Sequence, residues 1–480
     1  MTPPASERKS AAAGGGMDEP LLPEFSGGHG GGASVSGAVF NVSTSIIGAG
    51  IMSIPAAMRV LGVVPALVLI AAVAALSDVS VEFMLRYTGW AGGGPPSYAG
   101  IMGDAFGRAG AAALNVFIAF TTTGTLVVYL IIIGDVMSGS VEGGDEHAGV
   151  LGELFGAQWW TAREFVLLVT AVFVLLPLVL RRRVDSLRYT SAISILLAVV
   201  FMLISFGIAM YALFTGTATM PRMLPDFSRL SSPFELFTAV PVIVVAFTFH
   251  FNGNDSIFCV ITTFLFSACQ LRLTRTPLAT VHPIRAELSK SSDMKAAVRV
   301  SLVLCAAIYA AVGFFGFLLF GDATMADVLA NFDSSSGAGV PQALNDAARL
   351  SYALHLVLVF PLLLFSLRVN VDELLFPGRR PLASDTRRFV SLTVVLMAVL
   401  YALAIEIPSV WTLFEFSGST FAVTISLIFP GAIVLRDVHG IAKRKDKALA
   451  AAMIILAVIT SSIAIASNIM SSVSDKGSSR

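Results

Sequence analysis

Charge is scarce in this chain: Asp, Glu, Lys and Arg make up 13% of 480 residues, while hydrophobic residues make up 56% and mean hydropathy is +0.82. A water-soluble domain cannot cover its surface with so few charges, so lipid must be the main solvent. Net charge is also missing, since 31 basic residues balance 31 acidic ones, and with it goes any electrostatic argument for nucleic acid. Cysteine is nearly absent. Cys259, Cys269 and Cys305 are too few, and too hydrophobically placed, for a disulfide framework or a zinc site. No cleavable signal peptide is visible, because residues 1–33 are rich in Gly, Pro and Ser with acidic patches, so the first span is expected to act as its own insertion signal. There is no His-Glu-x-x-His, nucleophile elbow or phosphate loop, and the few carboxylates inside spans are scattered, so an enzyme is not expected.

What is present is a succession of apolar runs of roughly 20 residues, the length that crosses a bilayer as a helix. They fall at 34–59, 62–87, 110–134, 162–180, 187–215, 233–252, 296–320, 346–367, 389–407, 409–435 and 448–471. The expectation is an all-α membrane protein of about eleven spans, with 1–33 a disordered cytoplasmic tail, 34–471 the transmembrane domain and 472–480 a short C-terminal tail. Alternate connections hold 22 of the 31 basic residues, including Arg181 to Arg183, Arg387, Arg388 and Lys443 to Lys445. Loops rich in Lys and Arg stay cytoplasmic, which puts the N-terminus in the cytoplasm and the C-terminus on the far side. The apolar stretch Ile257 to Cys269 is too short to span. Were it to cross, Arg285 to Arg299 and every later basic loop would change sides. Counting without it, the first and sixth spans run in opposite directions, as two inverted five-helix halves require.

Two spans carry polar groups where lipid would select none. In the first, Gly37, Asn41, Thr44, Ser45 and Gly48 share a helical face, and Gly48, Gly50 and Pro55 make its middle a poor helix. An unwound segment there would free N–H groups able to bind a carboxylate; the same small residues also suit tight helix packing. In the sixth, Pro241 precedes Phe247, Thr248, His250 and Asn252 near membrane depth, and a break would expose carbonyls for a substrate ammonium. A satisfied structural histidine is the competing reading. Glu415, about two turns inside the tenth span, is the leading proton-carrier candidate, followed by His355 in the eighth. Asp78, Glu82 and Arg86 read as a snorkelling ion-pair stripe at the end of the second span. Asn41-Val42-Ser43 fits a glycosylation pattern but lies inside a span. Asp18-Glu19-Pro20-Leu21-Leu22 matches an acidic dileucine signal for endosomal or vacuolar delivery.

Phe40 to Pro55, with its Ile-Gly-Ala-Gly-Ile-Met-Ser-Ile-Pro core, and the following Ala56 to Gly62 resemble the first helix of the amino acid/auxin permease family. The nearest branch holds sodium-coupled neutral amino acid transporters and plant vacuolar amino acid transporters. His282-Pro283-Ile284-Arg285-Ala286-Glu287-Leu288, Phe320-Gly321 and Phe429-Pro430-Gly431 extend the likeness over nearly all of 34–471.

The resemblance implies an eleven-helix LeuT-type fold with a 5+5 inverted repeat, in which broken helices 1 and 6 bind an amino acid and the halves alternate access. The carboxylate would meet the backbone around Gly48, Ala49, Gly50 and Ile51, with Thr44 and His250 nearby, and the amine would meet carbonyls around Phe247 and Thr248. The amino acid and the bilayer are the expected partners; no obligate protein partner and no cofactor beyond a coupling ion are expected. Two departures stand out. Sodium-coupled members use an Asn on helix 1 and a Thr on helix 8 as sodium ligands, whereas this chain has Thr44 and the hydroxyl-free Leu354 to Phe360. Protons are therefore expected in place of sodium. Relatives also run from a His-x-Asn motif almost directly into Val-x-Pro-Ile, so Asn252 would be followed by Val281 and residues 253–280 would be an insertion within helix 6, expected from a retained intron or a wrong gene model. A proton-coupled transporter is the leading expectation, and the alternatives are an amino acid sensor built on the same ligand site or a sodium-coupled amino acid symporter.

Overall fold

The computed structural model describes residues 39, 42–43, 46–88, 98–142, 145–180, 188–218, 220–228, 232–249, 291–333, 340–377, 379, 382–407 and 409–478, all within the compact unit Gly31–Arg480. Thr44, His250, the expected insertion 253–280 and the expected tail 1–33 lie outside the described residues.

In chain order the helices are α1 (Ala49–Leu61), α2 (Val63–Thr88), α3 (Tyr98–Ser138), α4 (163–179), α5 (Arg188–Thr215), α6 (Pro233–Ala246), α7 (Ser291–Phe320), α8 (Gln342–Leu375), α9 (Thr386–Glu406), α10 (410–436) and α11 (Arg444–Ser478). Among the described residues eight helices are long and apolar enough to cross a membrane. The other three expected spans appear as shorter or interrupted pieces: α1, α6, and α4, whose middle turn Thr170–Leu175 widens to a π-helix. Among the described residues one element departs from the expected all-helical fold. The acidic stretch after α3 folds back as an antiparallel hairpin, β1 (Gly139–Glu142) on β2 (Asp145–Ala148).

Burial divides the helices into two kinds. α3 and α8 are mostly buried and pack on each other, α8 also on α5, so they form the centre. α2, α5, α9 and α11 are equally apolar but turn Val68, Leu203, Val395 and Ile455 outward, each more than half exposed. Apolar side chains in such number on an outer surface need lipid against them.

The chain is fastened at both ends of the bundle by ion pairs. At one end Arg86 of α2 reaches Glu82 at 2.6 Å and Asp446 of α11 at 2.8 Å, while Lys295 and Arg299 of α7 pair with Glu82 and Asp78. The stripe read as snorkelling thus joins three helices. Beside it Asp437, the one non-glycine residue with a left-handed backbone among those described, is buried at its carboxylate and accepts from Tyr87, Lys447 and the N–H groups of Ile441 and Ala442. Desolvation pushes its pKa up, but those donors outweigh it and hold it at about 2. At the other end buried Arg349 donates to Glu153, Asp346 and the Ala148 carbonyl, and His147 of the hairpin meets Asp333 at 2.9 Å. There too Arg222 pairs with Asp322 and donates to the Arg59 carbonyl, laying residues 222–224 against the α1–α2 turn. Gly62 in that turn has φ +78, and a Cβ would stand 2.6 Å from the Leu224 backbone, so glycine is needed twice over.

Candidate functional site

α1 begins at a break. Val42, Ser43 and Ile46 are helical, Gly48 is extended (φ −145, ψ −159), and helix resumes as a tight 3-10 turn at Ala49–Ser53. Its first internal bond runs from the Ile51 N–H to the Gly48 carbonyl at 3.2 Å, so the N–H groups of Ala49 and Gly50 fall outside the ladder, as at any helix start. α6 breaks the opposite way. It stops at Ala246, and the N–H groups of Phe247 and Thr248 turn back onto Val244 and Val245, leaving the carbonyl end of a helix.

These two ends touch. A Cβ on Gly50 would lie 2.8 Å from the Ala246 Cα, so the backbones meet at a distance only glycine permits. An N-terminal half-turn with donors therefore stands against a C-terminal end with acceptors. Partial charges of opposite sign at such ends suit the two ionised ends of a zwitterion.

Three tyrosines from three helices close the remaining valences. Tyr309 of α7 donates its hydroxyl toward both the Ile46 carbonyl at 2.7 Å and the Ala246 carbonyl at 2.9 Å, bridging the breaks. Tyr352 of α8 donates to the Gly48 carbonyl at 3.1 Å, and the Tyr129 hydroxyl of α3 accepts from Ala49. Phe247, fully buried, packs edge-on against Tyr309 with ring centroids 5.0 Å apart. None of these tyrosines was singled out from the sequence, although a signal existed: tyrosine in membrane proteins favours the interfaces, and these three sit in the interiors of long spans.

Gly48, Ala49, Gly50, Ile51, Phe247 and Thr248 are thus brought together. The Thr248 hydroxyl is occupied, donating to the Val244 carbonyl at 2.7 Å with Ser426 of α10 at 3.1 Å, so only its backbone faces the break. The π-helical turns Gly418–Ala422 and Thr424–Ile428 of α10 supply this contact, and their displaced carbonyls at Ile425 and Ser426 are taken by Tyr98 and Ser80. Glu415 is not at the breaks. It is buried, accepts from the Trp411 indole at 2.6 Å, and has the side chains of Thr238 and Asn468 in hydrogen-bond contact. Thr238 is eight residues before Ala246, about 12 Å along α6 by helical rise, so Glu415 touches α6 about two turns before the break. His355 stands one turn from Tyr352, ring against ring at 5.0 Å, with Nδ1 2.7 Å from the Ser194 carbonyl of α5. A cavity of about 220 Å³ between α5 and α7 is apolar and separate from the breaks. No group of side chains able to hold a metal ion occurs among the described residues.

The sequence matches the family described as transmembrane amino acid transporter protein over residues 31–253 and 276–473. Residues 254–275, inside the stretch expected to be inserted, are left unmatched. The chain is 50% identical to amino acid transporter AVT6C of Arabidopsis thaliana over 440 residues, covering 92% of this chain and 94% of that protein. It is 44% identical to amino acid transporter AVT6A of the same plant, covering 97% and 96%, and 24% identical to sodium-coupled neutral amino acid symporter 2 of Danio rerio, covering 85% and 76%. Among solved structures, a mutant of the manganese transporter of Eremococcus coleocola superposes with TM-score 0.53 at 13% identity, over 91% of this chain and 86% of that one. That likeness speaks for the fold alone. With the family match spanning nearly the whole chain, this is an integral multi-pass membrane protein of the transmembrane amino acid transporter family, a transporter and not an enzyme.

Proposed function

We propose that this chain moves neutral or a broad range of amino acids across the vacuolar membrane by alternating access, coupled to protons, with its N-terminus in the cytoplasm. The amino acid carboxylate meets the backbone around Gly48, Ala49, Gly50 and Ile51, and the ammonium the carbonyl end of α6 around Phe247 and Thr248, with Thr44 and His250 assigned to the same site. The observation that carries this reading is the meeting of the two breaks at Gly50 and Ala246, donor end against acceptor end. A site made of backbone reads the groups all amino acids share, which supports a broad range. The curated relatives named as amino acid transporters support the substrate class, and the dileucine pattern at Asp18 to Leu22 supports the vacuole. Glu415 is the first candidate for the proton and His355 the second. Sodium is disfavoured because residues 354–360 of α8 offer no hydroxyl.

Uptake of radiolabelled amino acids into proteoliposomes, under imposed pH or sodium gradients, tests this. A pH gradient is expected to drive accumulation, a sodium gradient to leave it unchanged, and Glu415→Gln to remove the pH-driven part while facilitated flux persists. Flux driven by sodium and indifferent to pH would overturn the coupling. Binding without any flux would favour a sensor.

A further inference from the structure

The Tyr309 hydroxyl has one proton and two carbonyl acceptors, Ile46 at 2.7 Å and Ala246 at 2.9 Å. Both acceptors are released by the helix breaks. With helix interrupted at Gly48, the Ile46 carbonyl lacks its usual partner four residues on, and Ala246 ends α6. Two helix carbonyl ends facing each other carry partial negative charge, and inside a span each needs a donor from the protein, the substrate or water in the substrate path. Tyr309 itself is fully buried and its ring is fixed by Phe247, so the hydroxyl is held between them.

The same face of α7 runs down the first half of helix 1. Ser301 donates to the Val39 carbonyl at 2.8 Å, Cys305 lies 3.7 Å from the Ser43 carbonyl, and Tyr309 follows at Ile46. Donors four residues apart on α7 thus meet carbonyls three to four residues apart before the break, and of these donors Tyr309 also reaches α6.

We propose that Tyr309 is a positioning residue that stands in for the substrate ammonium when the carrier is empty, bridging the two carbonyl ends so that the unloaded protein can close and return. This rests on the reading that the breaks bind the amino acid. When substrate is bound, its ammonium offers three N–H donors and a full charge to the same carbonyls, a stronger partner than a shared phenol proton. The hydroxyl then becomes dispensable. Without substrate it is the donor that joins the two ends, and the empty half of the cycle depends on it.

Tyr309→Phe keeps the ring and its packing against Phe247 and removes only the bridge. In proteoliposomes preloaded with unlabelled amino acid, exchange by the variant is expected to stay within about threefold of the parent, while net uptake into vesicles without internal amino acid falls about tenfold or more, the scale set by one buried hydrogen bond. Added amino acid should also raise the melting temperature of the variant by more than that of the parent. Tyr352→Phe, which removes a bond to Gly48 alone, is expected to lower exchange and net uptake together. Equal loss of both modes in Tyr309→Phe would overturn the proposal. Should that variant fail to reach the membrane, 3-fluorotyrosine at position 309, a stronger donor to the carbonyls, is expected to raise the KM for uptake, and an unchanged KM would overturn it equally. Failure of the underlying site reading looks different: exchange by the parent protein would then survive Gly50→Val.

Discussion

The break before α1 and the break after α6 meet at one point but are made by different means. The first is written locally: Gly48 in extended backbone, Gly50 where any side chain would strike Ala246, and Pro55 at the second position of the α-helix that follows. The second has no glycine or proline at the point where helix stops. Ala246, Phe247 and Thr248 are all compatible with continued helix, and the stop is held from outside by the Tyr309 hydroxyl, by Ser426 against Thr248, and by the ring of Tyr309 against Phe247. One break is thus intrinsic to its sequence, and the other is imposed by α7 and α10. A break imposed by neighbours can be altered by moving those neighbours, which suits α6 to report their rearrangement during transport.

The largest effect that would sharpen this contrast concerns residues 253–280, which follow the imposed break in sequence and include the stretch 254–275 that the family match leaves out. Protein lacking 253–280 is expected to transport amino acids in proteoliposomes much faster than the 480-residue chain, and equal rates would mean that these residues leave the site intact. The transcript offers a second check, since abundant messages reading continuously from Asn252 into Gly253 would remove the idea of a retained intron. Next in size comes Gly50→Val. Its β-branched side chain would have to enter space already filled by the Ala246 backbone, and an overpacked contact of this kind costs about 1–3 kcal/mol. The expected result is normal insertion with loss of flux, and transport at the parent rate would remove the α1 break from the mechanism.

The difference between the breaks also explains how much could be read in advance. The spans were legible because a run of apolar residues long enough to cross a bilayer has few other uses, and the α1 break was legible because Gly48, Gly50 and Pro55 are local statements about backbone. The closure of the site was not. Tyr129, Tyr309 and Tyr352 are far apart in sequence, and each looks like one more apolar residue of its span until the fold brings its hydroxyl to a free backbone group. Glu415 lies within α10, yet its neighbours Thr238 and Asn468 come from α6 and α11, and no spacing within α10 indicates that it touches α6 about two turns before the break. The hairpin after α3 was missed because its fastening, His147 to Asp333, joins segments 186 positions apart.

The smallest effect tests whether the α6 break is held from outside. Ser426→Ala removes the hydroxyl that reaches Thr248 from the π-helical part of α10 but leaves the backbone of both helices intact. Thr248 keeps its own bond to the Val244 carbonyl, so neither side chain is left with a buried unpaired group. The net worth of one such neutral bond is about 0.5–1.5 kcal/mol, so a rise in KM of about two- to tenfold is expected, with little change in melting temperature. Gly50→Val by contrast should stop flux outright. A loss of transport in Ser426→Ala as complete as that in Gly50→Val would mean that α10 sets the α6 break alone; an unchanged KM would mean that Tyr309 and the packing of Phe247 suffice without it.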